Sequence, residues 1–203
     1  RKFRSGRTGE ATLRKEGAMI PLDRYPKEIT LRDDARAILR PMLPEDAEGL
    51  WNFLRQLPEI DKSHFHEDVD RREVVERWAA SLDYDAVLPI LAIRGDRVLG
   101  SVTLFRNRTG WKQRIGIIRI LIAPDHRHLG LGTAMIREIR HLGEKLALNY
   151  LLAEVIEEQQ AAVRALERMG FEKAAVYRKF VNDRNGRLHD LAVLLHPLSG
   201  LGK

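Results

Sequence analysis

Apolar residues change their spacing several times along the chain, and each change marks an element. Leu131, Met135, Ile139, Leu142 and Leu146 recur at intervals of three and four, with Arg137, Glu138, Arg140, Glu144 and Lys145 between them. That pattern predicts an amphipathic helix over 131–146, apolar stripe inward and charged face outward. Leu50, Phe53, Leu54 and Leu57 predict a helix over 45–57 in the same way, and Val74, Val75, Trp78 and Leu82 a second over 69–82. The segment between them, Pro58 to Asp68, is polar and irregular. A further helix over 160–169 is closed by Gly170.

Strands show a different rhythm. Residues 116–122 form a nearly continuous apolar run, the pattern of a central strand buried on both faces. Residues 87–94 and 97–106 predict a hairpin over Gly95-Asp96, because glycine takes the positive φ that tight hairpin turns need. A strand over 150–155 follows the long helix, and 171–181 with 187–195 predicts a final hairpin over Asn185-Gly186. Short strands are expected at 29–31 and 35–40. Strand, glycine loop, helix and strand make a parallel βαβ unit, whereas the hairpins are antiparallel, so the expected fold is α/β (α+β) with a mixed sheet.

Residues 1–28 lack this periodicity and contain Gly6, Gly9, Gly17, Pro21 and Pro26. They are expected to form a flexible arm, with the domain over 29–198 and a short tail over 199–203. The net charge of +6 belongs mainly to that first stretch: residues 1–40 hold eleven Lys/Arg and six Asp/Glu, a net of +5. A basic terminus of this kind is usually solvated, so nucleic acid gains little support as a partner. At 44% hydrophobic and 32% charged residues, the composition is that of a globular protein. No apolar run approaches the roughly 20 residues of a membrane span. The chain has no cysteine, which excludes disulfides, a thiolate nucleophile and cysteine-ligated zinc. A cytoplasmic setting is expected.

Between the apolar strand and the long helix lies Arg127-His128-Leu129-Gly130-Leu131-Gly132. A pyrophosphate requires several converging donors, and backbone N–H groups supply them where no side chain intervenes. Gly130 and Gly132 permit that approach at the first turn of a helix, whose free N–H groups and dipole favour an anion. Thr133 adds a hydroxyl and Arg127 a charge. A nucleotide P-loop requires Lys-Ser/Thr after the last glycine, where this chain has Thr133-Ala134; the dinucleotide fingerprint requires a small residue where Met135 stands. A glycine pair that merely closes a strand-to-helix turn is the plain alternative.

The stretch Ile117 to Thr133 resembles motif A of the GNAT superfamily of N-acetyltransferases, whose signature is Gln/Arg-x-x-Gly-x-Gly/Ala. Glu154-Val155, Gln159, Ala162, Arg168 and Met169-Gly170-Phe171 resemble its motif B, and the order of elements from 35 to 198 agrees. The resemblance implies a GNAT-like mixed central sheet, splayed between the strands flanking the glycine loop, with helices on both faces. It also implies acetyl-CoA as co-substrate and no metal. Backbone groups of Leu121, Ile122 and Ala123 would pair with the pantetheine amides, and those of Arg127, His128, Leu129, Gly130, Leu131, Gly132 and Thr133 with the pyrophosphate. Gln159 stands where Asn is common and keeps amide chemistry with a longer reach.

An amine with a pKa near 10.4 is only about one part in two thousand neutral at pH 7, so acetyl transfer to nitrogen needs a proton acceptor. Glu154 is the candidate base. Its neighbours Leu151, Leu152, Ala153 and Val155 are apolar, an environment that raises a carboxylate's pKa towards the useful range. In bacterial ribosomal-protein alanine acetyltransferases of this superfamily, a Glu in the matching Glu-Val position acts as that base, a role the resemblance implies for Glu154. Many relatives carry a Tyr twelve residues further on as the acid for the leaving thiolate; Leu166 stands there, which leaves Tyr177, water or unassisted departure. Protein-lysine acetyltransferases of this superfamily place a Glu where this chain has Ile117, against that assignment.

His64-Phe65-His66-Glu67 and His126-Arg127-His128 hold no complete ligand set and are expected as exposed loop histidines. His189-Asp190 is expected to be structural or substrate-facing. Trp51, Trp78, Phe53 and Phe65 suit helix cores or a substrate wall. The expected function is acetyl transfer to a primary amine of a peptide, a protein or, as a second choice, a small molecule. The acceptor site is expected among the first two helices, Pro58 to Asp68, and the final hairpin. The alternative is a non-catalytic CoA-binding regulatory module. A homodimer is compatible with the resemblance.

Overall fold

The computed structural model describes residues 22–198; most of the expected arm, residues 1–21, and the tail 199–203 lie outside them. Eight strands form one sheet: β1 Lys27–Thr30, β2 Arg36–Pro41, β3 Val87–Arg94, β4 Arg97–Arg106, β5 Ile115–Ile122, β6 Tyr150–Ile156, β7 Glu172–Asn182 and β8 Leu188–Pro197. Their order is β1-β2-β3-β4-β5-β6-β8-β7, and β5–β6 is the parallel pair in an otherwise antiparallel sheet. The helices are α1 Ala47–Arg55, the single turn α2 Glu59–Lys62, α3 Arg72–Ala80, α4 Leu131–Lys145 and α5 Gln160–Arg168. None of them is long and apolar enough to cross a membrane, among the described residues.

The sheet separates two cores. On one face α4 and α5 pack through Leu131, Met135, Ile136, Ile139, Leu142 and Val163 against Ile118, Leu151 and Ala153. Each fully buried aliphatic side chain there contributes about 1.5–3 kcal/mol, so the α4 stripe anchors the element that carries the glycine loop. On the other face α1 and α3 pack through Leu50, Phe53, Leu54 and Val75 against Leu91, Val98 and Leu121. Leu121 and Ala123 therefore point to the α1–α3 side, while Ile118, Ile120 and Ile122 point to the α4 side.

Pairing between β5 and β6 ends at Ile118–Ala153, although β5 runs on to Ile122 and β6 to Ile156. The two strands part there, and the sheet splays as expected. One consequence departs from the sequence pattern. The apolar run of β5 predicts burial on both faces, yet Ile117 keeps partial exposure, as do Arg119, Ile120 and Ile122 beyond the last pair, where the strands have parted.

The start of the chain also departs from expectation. The boundary expected after residue 28 falls inside β1, and the turn Leu22–Arg24 with Tyr25 and Lys27 packs over α4. Glu138, assigned by periodicity to the solvent face of α4, is buried at 1% exposure. It accepts hydrogen bonds from Tyr25 Oη at 2.8 Å and Lys27 Nζ at 2.7 Å, with Arg24 Nε at 3.3 Å. The segment read as a tail supplies the charges that permit a carboxylate to be buried there.

Candidate active site

The glycine loop has the backbone shape its composition suggests. Gly130 is the N-cap of α4 at φ 85°, a left-handed conformation that glycine adopts without strain, and His128 is also left-handed at φ 65°. The first internal bond of the helix runs from Ala134 N to Gly130 O at 3.1 Å. No hydrogen bond within the described residues uses the N–H groups of residues 128–133. Gly132 is not required by internal packing: a Cβ there would meet Ile120 and Ile122 at ordinary distances of 3.9 and 4.0 Å. The space it leaves open faces the β5–β6 gap, so a glycine that merely closes a turn does not account for this position.

Strand alternation decides which main-chain groups of β5 face the gap. Ala123 N donates to Leu99 O on the β4 side at 2.9 Å, and its carbonyl accepts from His126 N at 2.9 Å. Antiparallel pairs alternate in hydrogen bonding, and Leu121 lies two residues earlier opposite Ser101, so it also bonds to β4. Ile120 and Ile122 then turn their N–H and C=O groups to the open side. Of the three residues expected to pair with a pantetheine, Ile122 turns its main-chain groups to the gap, Leu121 and Ala123 bond on the β4 side, and Ile120, not among the three, also faces the gap. A period of two from Ala123 back along β5 was the signal that would have found it.

Arg127 and Gln159 stand on opposite banks of the gap and meet on one carboxylate. Asp61, in α2, accepts from Arg127 Nη2 at 2.6 Å and from Gln159 Nε2 at 2.9 Å. Arg127 Nε also reaches Ile122 O at 3.3 Å. Asp61 thus straps the mouth of the gap and occupies two groups that the sequence assigns to the cofactor. Arg32, in the β1–β2 turn, backs the loop: its N–H donates to Leu129 O at 3.0 Å and its guanidinium to His128 O at 3.4 Å. Neither Asp61 nor Arg32 carries a motif in the sequence.

Glu154 and Arg119 are the first residues past the last β5–β6 pair and lie on the same face, that of α1 and α3. Glu154 is exposed. Its chain neighbours Leu151, Ala153 and Val155 point into the α4–α5 core on the other face, so the apolar shell expected from adjacency is not around its carboxylate. His64 lies near both. Burial holds its ring below the ordinary value, against opposing contributions from Asp61 and Glu154, so it is neutral at pH 7.

The expected acid, Tyr177, is not brought to this point. It sits on the edge strand β7, beyond β8 and so about 10 Å from β6. It is 49% exposed, with its ring 5.1 Å from Phe180.

Beside Arg119 the α1–α3 face opens into a cavity of about 300 Å³, floored by β3–β5 and walled by α1, α3 and residues 65–67. Met42, Leu54, Trp78, Thr103 and Phe105 line it, and Phe65 stacks on Trp78 at 5.7 Å between centroids. This is where the sequence places the acceptor, with one change. The final hairpin does not line the cavity but braces the segment that does: Arg184 in its turn reaches Glu59, Asp68 and Asp70.

Two further histidines, His126 and His189, are structural. His126, expected in an exposed loop, is buried against Asp125 and Arg94. His189 is paired with Asp183 and Glu158, and the hydrogen bond its ring donates to Asp183 holds it above its usual value. Asp190 instead accepts from Lys179 N. No group of three metal-ligating side chains occurs among the described residues.

Known proteins share this architecture. The GNAT domain of S. lividans PAT superposes with a TM-score of 0.69 at 19% identity, over 85% of this chain and 96% of that one. The ribosomal-protein-alanine N-acetyltransferase from Brucella melitensis gives 0.68 at 17%, over 79% and 99%. In sequence, streptothricin acetyltransferase of Streptomyces lavendulae is 33% identical over 63 residues, 31% of this chain and 33% of that protein. The bS18-alanine N-acetyltransferase of Escherichia coli K12 is 29% identical over 83 residues, 41% of this chain and 55% of that protein. The matched stretches thus span a third to about half of these two relatives. The model of the acetyltransferase (GNAT) family matches residues 51–171, more than half of the chain, from within α1 through the glycine loop to Phe171. The chain belongs to the acetyltransferase (GNAT) family.

Proposed function

We propose that the protein transfers an acetyl group from acetyl-CoA to a primary amine, with Glu154 as the general base. The observation that carries this reading is the β5–β6 gap itself. Its edge turns main-chain groups of Ile120 and Ile122 to the open side, with Ile122 O already accepting from Arg127 Nε; one end meets six free N–H groups at residues 128–133, and Glu154 stands where the strands part. A pantetheine fits the first as a pseudo-strand, a pyrophosphate fits the second, and the open space over Gly132 admits close approach. Acetyl-CoA, when bound, supplies an activated acetyl group as a thioester.

The chain's own residues do the rest. Ile120 and Ile122 orient the acyl carrier, residues 128–133 with Arg127 and Arg32 hold its negative end, and Glu154 accepts the proton of the ammonium. Exposure of Glu154 in the open cleft means that its carboxylate loses water only when the cleft fills. Leu166 is buried at 3% exposure and Tyr177 lies two strands away, so the thiolate takes its proton from solvent.

Replacement Glu154→Gln is expected to lower kcat about 10²- to 10⁴-fold, with the largest loss below the amine's own pKa. An unchanged pH–rate profile would remove Glu154 from the mechanism. Release of free thiol separates this reading from a CoA-binding module, which binds acetyl-CoA without turnover.

A further inference from the structure

Arg119 is the group in the cavity that the chemistry above leaves unused. Its guanidinium carbon lies 3.9 Å from the Phe65 ring centroid and 5.0 Å from that of Phe105, so both aromatic rings hold it in place. Among the described residues it makes no hydrogen bond or ion pair. Two carboxylates also border the cavity, and both are already paired: Glu67 with Arg77 and Trp78 Nε1, Asp83 with Arg108. Burial without a compensating carboxylate lowers the Arg119 pKa to about 10, so it stays charged at neutral pH. The guanidinium is half-buried and open to the cavity, so an anion bound there would supply the counter-charge that the protein does not.

The neighbours narrow that ligand. One cation without a second beside it suits a monoanion such as a carboxylate, which a guanidinium binds through two parallel hydrogen bonds. Phosphate groups draw several cations. The walls, Met42, Leu54, Trp78 and Phe105, favour an apolar body. Glu154 lies on the adjacent strand of the same face, outside the cavity lining and on the far side of the point where the strands part. Cation and anion on adjacent strands match a zwitterion, ammonium towards Glu154 and carboxylate towards Arg119. A polyamine or aminoglycoside would bring positive charge against the guanidinium, and a peptide N-terminus has an amide where the carboxylate is wanted.

We infer that the acceptor is a free amino acid with an aromatic or branched aliphatic side chain, its carboxylate held by Arg119. This rests on the acetyl-transfer reading and names its substrate class. In the reaction the nitrogen–acetyl bond forms as the thioester carbon–sulfur bond breaks. The ammonium loses two protons, the first to Glu154 and the second to solvent, and the departing thiolate is protonated from solvent.

The test compares L-phenylalanine, L-phenylalaninamide and phenethylamine as acceptors by thiol release, in wild type, Arg119→Gln and Arg119→Lys. Thermal shift with acetyl-CoA, and with phenylalanine on the CoA-loaded protein, runs alongside. Wild type is expected to prefer phenylalanine by about 100-fold in kcat/KM over either counterpart that lacks the carboxylate, the scale of a charge-assisted contact. Arg119→Gln loses that preference through KM and leaves phenethylamine within about threefold, whereas Arg119→Lys keeps part of it. Equal turnover of all three acceptors, or an equal loss for all three in Arg119→Gln, overturns the Arg119 assignment and leaves acetyl transfer standing. Acetyl-CoA binding without thiol release overturns the transfer reading; stabilisation by phenylalanine in wild type but not in Arg119→Gln then still supports the anion site, and its absence overturns it. Failure to bind acetyl-CoA overturns both.

Discussion

On the α4 side of the gap, the groups placed to hold a ligand are main-chain atoms from a single run, Ile120 to Thr133. On the α1–α3 side they are side chains from α1, α3, the segment around Phe65 and strands β3 to β5, gathered from Met42 to Leu121. Backbone donors cannot be altered by substituting their own side chains, so the first region binds what its geometry allows and accepts many residue types. The second changes character with each residue. One scaffold can therefore keep a constant donor and vary its acceptor.

That contrast breaks first at Gly132. A Cβ at position 132 meets the protein at ordinary distances, and the methyls of Gly132→Val extend from it into the approach to the free N–H groups. It is expected to weaken CoA binding at least about 100-fold, the scale of several charge-assisted hydrogen bonds, with little change in Tm. Calorimetric titration with CoA beside thermal melting checks both; a variant that melts early and still binds would show that packing, not ligand approach, sets this position.

The loop side also depends on one cluster of side chains. Glu138→Gln leaves Lys27 and Arg24 without their carboxylate and is expected to cost about 2 kcal/mol in urea unfolding. Although burial alone would raise it, the Glu138 carboxyl is held below its usual range by Lys27, Tyr25 and Arg24. A depressed folded pKa gives stability that is present above the unfolded value, about 4.3, and lost as pH falls through the folded one. Wild type should therefore lose more stability than Glu138→Gln on acidification below about pH 4. Parallel curves would show that the carboxylate does not matter there.

The smallest effect has the opposite sign. Asp61 holds Arg127 and Gln159, and its charge opposes a pyrophosphate near the same arginine. Asp61→Asn is expected to tighten CoA binding about fivefold at low ionic strength and less at high salt, because Arg127 is partly exposed and screened. Weaker binding would mean that Asp61 positions the loop instead of competing with the ligand.

The reading of the chain succeeded where chemistry and pattern were local. The stripe from Leu131 to Leu142 follows helical spacing, and Gly130 carries the positive φ that its position before a helix suggests. It failed at Glu138, because the partners that bury it lie more than a hundred residues away. It failed at Leu121 and Ala123 for a different reason. A motif names residues, but which of them turns its N–H to the ligand depends on the register with β4. Glu154 was singled out by motif, while the apolar surroundings inferred for it include neighbours in sequence that point to the other face.

Periodicity and a contiguous motif were thus sufficient for the βαβ unit, the glycine loop and the family, since each rests on interactions among residues close along the chain. Arg119 looked like one polar residue in an apolar strand, and Asp61 like one acid in an irregular segment. Their roles arise where β5 and β6 part and where α1 to α3 close over the sheet. Contacts between distant segments put an unpaired cation in a cavity and a carboxylate across a cleft, and no local pattern encodes them.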